Sequence, residues 1–100
     1  MIAQTIKDAA GSEFFVFFCP ACQCTHAARV RRGAGVKGSL WSWNRSIEKP
    51  SIQPMLFFEV NGVQCYSYIT DGWIYYFGTA GHGMRGEAVA LPELPTALSA

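Results

Sequence analysis

Eight residues near the start of the chain constrain it most: Cys19-Pro20-Ala21-Cys22-Gln23-Cys24-Thr25-His26. They hold three of the four cysteines and one of the two histidines. Two thiols two residues apart can meet on one tetrahedral cation, because the intervening turn brings both sulfurs to a point. A Cys-Pro-Ala-Cys turn is half of a zinc ribbon or knuckle. The usual second half, another Cys-x-x-Cys pair, is absent from the sequence. The remaining ligands must come from elsewhere in the chain, and the fold must bring them back.

The flanking pattern is that of strands. Glu13 to Phe18 is a dense aromatic run, and Pro20, which has no N–H for a ladder, ends it. Cys24 to Arg32 alternates, with Cys24, His26, Ala28 and Val30 on one face. The two segments read as a hairpin with the Cys19–Cys22 turn at its tip. Leu40 to Asn44 is a short alternating stretch, and Pro50 to Pro54 is irregular. Met55–Val60 and Val63–Thr70 flank Asn61-Gly62, and Val63–Thr70 and Trp73–Phe77 flank Asp71-Gly72. Both dipeptides favour two-residue hairpin turns. Pairing about Asp71-Gly72 sets Tyr66 against Phe77, Tyr68 against Tyr75 and Thr70 against Trp73, and brings Cys65 opposite Gly78. His82 follows four residues later, within reach of Cys65. Glu87–Leu91 reads as a last short strand, and Met1–Ser12 and residues 93–100 as loose ends, with Ile2 and Ile6 on a short helix or a frayed strand. The expected fold class is mainly β: one small antiparallel hairpin or meander domain over residues 1–100, zinc-ribbon-like, with little helix.

The preferred ligand set is Cys19, Cys22, Cys65 and His82, a Cys₃His site for Zn²⁺, with Cys24 and His26 as alternates. Thiolates and imidazole select zinc over magnesium or calcium. Disulfide exchange is disfavoured, since no helix follows the Cys-x-x-Cys turn to lower a thiol pKa.

Composition narrows the function. One hundred residues make one domain whose core gains from a staple. Half are hydrophobic and 15% charged, which argues against disorder and for a sticky face or a homo-oligomer. A net charge of +1 makes no general case for nucleic acid. One basic segment, with Arg29, Arg31, Arg32 and Arg45 around Trp41 and Trp43, is nonetheless a candidate partner surface for a protein or a nucleic acid. The competing reading is a solvated basic face over two core tryptophans. No signal peptide or membrane span is visible, so clustered cysteines point to metal in a reducing cytoplasm. No Ser-His-Asp set or carboxylate pair stands out. Hydrolysis at an open zinc position would draw its base from Glu59 or Glu87.

The ordered motifs resemble a family of small phage and prophage proteins of unknown function, often mislabelled as ammonia monooxygenases. The resemblance covers about Phe14 to Pro92. Its pieces are Cys19 to His26, Trp41-Ser42-Trp43-Asn44, Lys49 to Pro54, Cys65 to Ile69 with Asp71-Gly72, and His82 before Gly86, with Leu91-Pro92. Tyr66 stands where that family often has histidine, and Ala80 where it often has cysteine. The resemblance implies a phage or prophage origin and a metal-binding all-β domain, and supplies no activity. Two function classes follow. One is a metal-stapled binding module that inhibits or modulates a host protein complex, such as a defence system. The other is a zinc-dependent hydrolase or a nucleic-acid-binding accessory protein.

Overall fold

A computed structural model describes residues 2–77, 84 and 86–94, and all regular structure among them is strand. Three strands form the first sheet in the order β1-β2-β3: β1 Ala3–Lys7, β2 Glu13–Cys19 and β3 Cys24–Arg31. Five form the second, each paired with the next in sequence: β4 Ser42–Trp43, β5 Ile52–Val60, β6 Val63–Thr70, β7 Trp73–Tyr76 and β8 Ala88–Ala90. Every pairing is antiparallel.

The hairpins follow from local chemistry. Cys19 pairs with Cys24, so the Cys-x-x-Cys turn is the tip of β2–β3. Val60 pairs with Val63 and Thr70 with Trp73. In both turns the two central residues have positive φ, 51° and 82° at Asn61-Gly62 and 49° and 81° at Asp71-Gly72. That is the I′ geometry whose twist matches the flanking strands. Tyr68 lies opposite Tyr75, and the Phe77 N–H donates to the Tyr66 carbonyl, as the sequence pairing requires.

Two segments differ from the expectation. The N-terminal stretch read as loose carries β1, which pairs residue for residue along β2 from Ala3↔Phe17 to Lys7↔Glu13. Its pattern is weak because only Ala3 is buried while the rest lies on an edge. The stretch around Pro54 belongs to β5, where the Gln53–Pro54 peptide is cis and the pairing with β6 shifts between Ile52 and Leu56.

One core joins the sheets. Phe15, Phe17, Cys19 and Ala28 from the first meet Ile52, Leu56, Cys65, Ile69, Ile74 and Tyr76 from the second, all nearly solvent-free. Burying a side chain of the Phe, Leu or Ile type stabilises by roughly 1.5–3 kcal/mol. Alternation puts Leu56, Cys65, Ser67 and Ile69 inward and leaves Phe57, Tyr68 and Phe77 exposed on the other face. At the far end of β2 from Cys19, Glu13 receives a 2.7 Å bond from Arg45, which also lies over the Trp43 ring. Gly33 passes so close to the β1–β2 turn that a Cβ there would sit 2.1 Å from the Ala10 carbonyl oxygen.

Candidate metal centre and serine cleft

Three neighbouring pieces of backbone supply the candidate metal site. Cys19 ends β2, Cys22 lies in the tip that follows, and His26 sits on the inward face of β3, two residues beyond Cys24. Cys65 comes from β6, two residues before inward Ser67. The sandwich brings the second sheet over this tip, and the ligand atoms of Cys19, Cys22, His26 and Cys65 all fall within 4.8 Å of one another. Cys19 and Cys65 are solvent-free and His26 is 6% exposed.

The geometry suits a tetrahedral cation. The Cys19 and Cys65 sulfurs are 3.9 Å apart. Two sulfurs each about 2.3 Å from a tetrahedral zinc stand about 3.8 Å apart. The His26 ring stacks flat on Phe58, at 4.1 Å and 4°, and edge-on against Phe17, which fixes its plane. Its Nε2 is buried with no hydrogen-bond partner among the described residues. A buried imidazole nitrogen without a partner is costly, and binding a cation is one way to satisfy it.

The electrostatics point the same way. Cys19 is held far below an ordinary thiol, to about 3, first by its hydrogen bond with Cys65 and then by those with His26, Tyr76 and the Cys22 backbone, against the opposing effect of burial. Cys22 is pushed up to about 11 by burial and then by the Cys19 charge. Cys65 is raised by its hydrogen bond to Cys19 and by burial. One thiolate gathers proton donors, while its neighbours resist a second negative charge. A bound divalent cation removes that conflict and lets the thiols ionise together. Around the ligands, the Tyr76 hydroxyl lies 3.1 Å from the Cys19 sulfur and accepts the Ala21 N–H at 3.3 Å.

Of the residues singled out from sequence, Cys19, Cys22 and Cys65 come together, and the alternate His26 joins them. Cys24 is not in the group, and burial and the nearby Cys19 charge raise its pKa. His82 lies outside the described residues. His26 is the histidine that strand alternation had placed on the same face as Cys24. That face points inward, which the sequence pattern alone did not reveal. Glu59 and Glu87 are exposed and do not join the group. Four protein ligands would complete a tetrahedral shell, the arrangement that structural zinc sites use.

The basic segment divides. Arg31 and Arg32 are exposed, while Arg29 lies over the Phe14 ring and donates to the Lys37 carbonyl. The tryptophans are half-buried and hydrogen-bonded within the protein: Trp43 packs on Phe15 and donates to the Ser46 carbonyl, and the Trp41 indole donates to the Met55 carbonyl.

A second feature, absent from the sequence reading, is a cleft of about 260 Å³ lined by Ser42, Trp43, Asn44, Ser51 and Gln53. Asn44 organises it. Its side-chain oxygen accepts the Ser46 and Ser51 N–H groups, and its amide donates to the Lys49 carbonyl. The Ser51 hydroxyl accepts the Asp71 N–H at 2.9 Å, which holds it beside the turn. Among the described residues no serine hydroxyl bonds a histidine or a carboxylate. The signal for the cleft was the Trp-Ser-Trp-Asn and Pro-Ser-Ile-Gln pair, whose proximity only the β4–β5 ladder creates.

Comparison with curated proteins and with solved structures returned no match. The family described as bacterial ubiquitination-like system serine protease (BubE) matches residues 2–77, and the chain belongs to that family.

Proposed function

We propose that this chain is a serine-dependent hydrolase acting on a protein of a bacterial ubiquitination-like system, with its small β sandwich held together by one structural Zn²⁺. The family match over residues 2–77 carries the proposal. It spans both the Cys₃His cluster and the cleft that Ser42 and Ser51 both line. Ser51 is the preferred nucleophile. Its backbone is pinned by Asn44 and its hydroxyl positioned by the Asp71 N–H, and such positioning is what nucleophilic catalysis asks of a serine. Cys19, Cys22, His26 and Cys65 would hold the zinc, whose role is to join the sheets.

Two experiments test this. A fluorophosphonate should add to the protein and raise its intact mass by one adduct, and Ser51→Ala should abolish the addition while Ser42→Ala retains it. Elemental analysis of reduced protein should return one zinc per chain, with Cys22→Ser losing it. Absence of metal from the wild-type protein would end the zinc assignment.

A second reading is favoured by the lack of a base on any described serine hydroxyl. The chain would then engage its protein partner without cleaving it, as a phage or host module acting on a defence complex. No fluorophosphonate adduct, together with retained binding of the partner, selects this reading.

A further inference from the structure

Among the described residues, the outer edge of β5 is open beyond Met55. β4 covers only Ile52 and Gln53, and the Trp41 indole takes the Met55 carbonyl. Beyond that point, among the described residues, no backbone group pairs with the side of β5 away from β6. The Asn61-Gly62 turn sets the alternation. The pair next to a two-residue turn is hydrogen-bonded, so Val60, Phe58 and Leu56 direct their backbone groups to Val63, Cys65 and Ser67. Phe57 and Glu59 therefore direct theirs outward. The same residues carry exposed side chains, and Phe57 stacks on Tyr66 at 4.6 Å. An edge with unpaired backbone groups next to an aromatic face is a template for another strand, and Glu59 sets one negative charge on it.

We infer that this edge binds an extended polypeptide segment by β-strand addition, antiparallel to β5 and in line with β4. Antiparallel pairing is the more stable arrangement and the one β4 already uses. A guest strand so placed runs from the Val60 end toward Met55, and its C-terminal end arrives beside Trp41 and the Ser42–Ser51 cleft. Main-chain bonds from Phe57 and Glu59 supply register, and Phe57 contacts side chains at alternate guest positions. The assignment rests on the hydrolase reading for the fate of that end, since it delivers a C-terminal tail to the proposed nucleophile. A second copy of this chain fits less well. Two-fold pairing centred on Phe57 or Phe58 drives the copy's Asn61-Gly62 turn against Trp41 and β4. Centring on Glu59 sets two like charges opposite each other, which destabilises a sheet pair.

The test is amide hydrogen exchange on the full chain with zinc bound. The probe is an eight-residue peptide of alternating threonine and valine, acetylated at its N-terminus and free at its C-terminus. Phe57 and Glu59 amides should exchange rapidly in the free protein and at least tenfold more slowly with peptide, while Leu56, Phe58 and Val60 stay slow throughout. N-methylation of one alternate set of peptide amides should abolish the effect, and methylation of the other set should leave it. Phe57→Pro removes one outward N–H without touching the β5–β6 ladder and should abolish protection at Glu59. The methylated peptides decide the matter even where that variant fails to fold. No slowing with peptide, or equal loss for both methylated sets, overturns the proposal. Slow, concentration-dependent exchange of Phe57 and Glu59 without peptide also overturns it, since a second copy then holds the edge. The fluorophosphonate reaction reads the nucleophile independently, so failure of either assignment leaves the other measurable.

Discussion

Strand β2 is clasped to the second sheet at both of its ends, by unlike means. At one end Cys19 enters a buried cluster with Cys65 of β6. At the other Glu13 meets Arg45, which follows β4. The first clasp is dry and made of soft ligands. In the second, the Glu13 side chain is 10% exposed and that of Arg45 56%. Solvent sets the difference in strength. An ion pair with one partner largely in water gains little, because water already stabilised both charges. Thiolates gathered on a cation gain free energy that the unfolded chain cannot recover without the preformed site. A cation held by Cys19, Cys22, His26 and Cys65 would make the first clasp the stronger of the two.

The largest effect should come from breaking the cluster. Structural zinc in small domains contributes on the order of 10–16 kcal/mol. Chelation, or Cys65→Ser, is expected to lower sharply the midpoint of the cooperative unfolding transition seen by circular dichroism. A metal-depleted protein that kept its full thermal transition would reverse the ranking of the two clasps.

Next comes the hydroxyl that supports the cluster. Tyr76→Phe removes the bond to the Cys19 sulfur and leaves the ring in the core. Groups that hold a metal ligand in this way typically contribute about 10–100-fold in affinity. Competition with a chromogenic chelator should show zinc held at least tenfold more weakly, with the folded spectrum unchanged.

The ion-pair clasp should respond less. Arg45→Ala is expected to lower stability by about 1–2 kcal/mol, since it leaves the Glu13 carboxylate nearly buried without its charged partner. Arg45 adopts a φ of 66°, a conformation costly for any residue with a Cβ, and alanine retains that cost. A double-mutant cycle with Glu13→Gln, followed by urea unfolding, isolates the coupling. A value near zero would mean that Trp43 packing alone holds this end.

The smallest effect is the pH response of the metal-free, reduced protein. Cys19 has its pKa lowered in the fold, to about 3, so its contribution is complete above the ordinary thiol value of 9.0 and is lost as pH falls toward 3. Cys22 has its pKa raised, to about 11, so its contribution is present below 9.0 and is lost as pH rises through 11. The urea midpoint should therefore decline on both sides of an optimum. Zinc should flatten the alkaline side, because bound thiolates no longer resist ionisation.

Much of the strand order was legible in one dimension. Asn61-Gly62 and Asp71-Gly72 specify their hairpins because few dipeptides tolerate two consecutive positive φ values. Once each turn is placed, the pairing of Tyr68 with Tyr75 follows by counting. Edge elements were less legible. β1 buries only Ala3 fully, so its sequence carries almost no alternation, and its pairing is decided by the aromatic strand beside it. β4 is two residues long and has no pattern to read.

The metal centre divides in the same way. Cys19 and Cys22 declare themselves by spacing, because one turn of backbone unites them. Cys65 was reachable through the Asp71-Gly72 register. His26 could not be assigned from spacing, since alternation says which residues share a face and not whether that face points inward. Burial against Phe58 and Phe17 decides it, and those rings come from both sheets. The Ser42–Ser51 cleft lies further beyond reach, because six residues, Arg45 to Pro50, separate its two halves and only the β4–β5 ladder closes them. Sequence by itself determined the strands, the turns and the paired thiols, which depend on residues close along the chain. Tertiary structure decided which histidine meets the thiols, which serines share a cleft and which strand edge stays open. Each of those depends on how two sheets pack, a matter of side chains far apart in sequence filling one core.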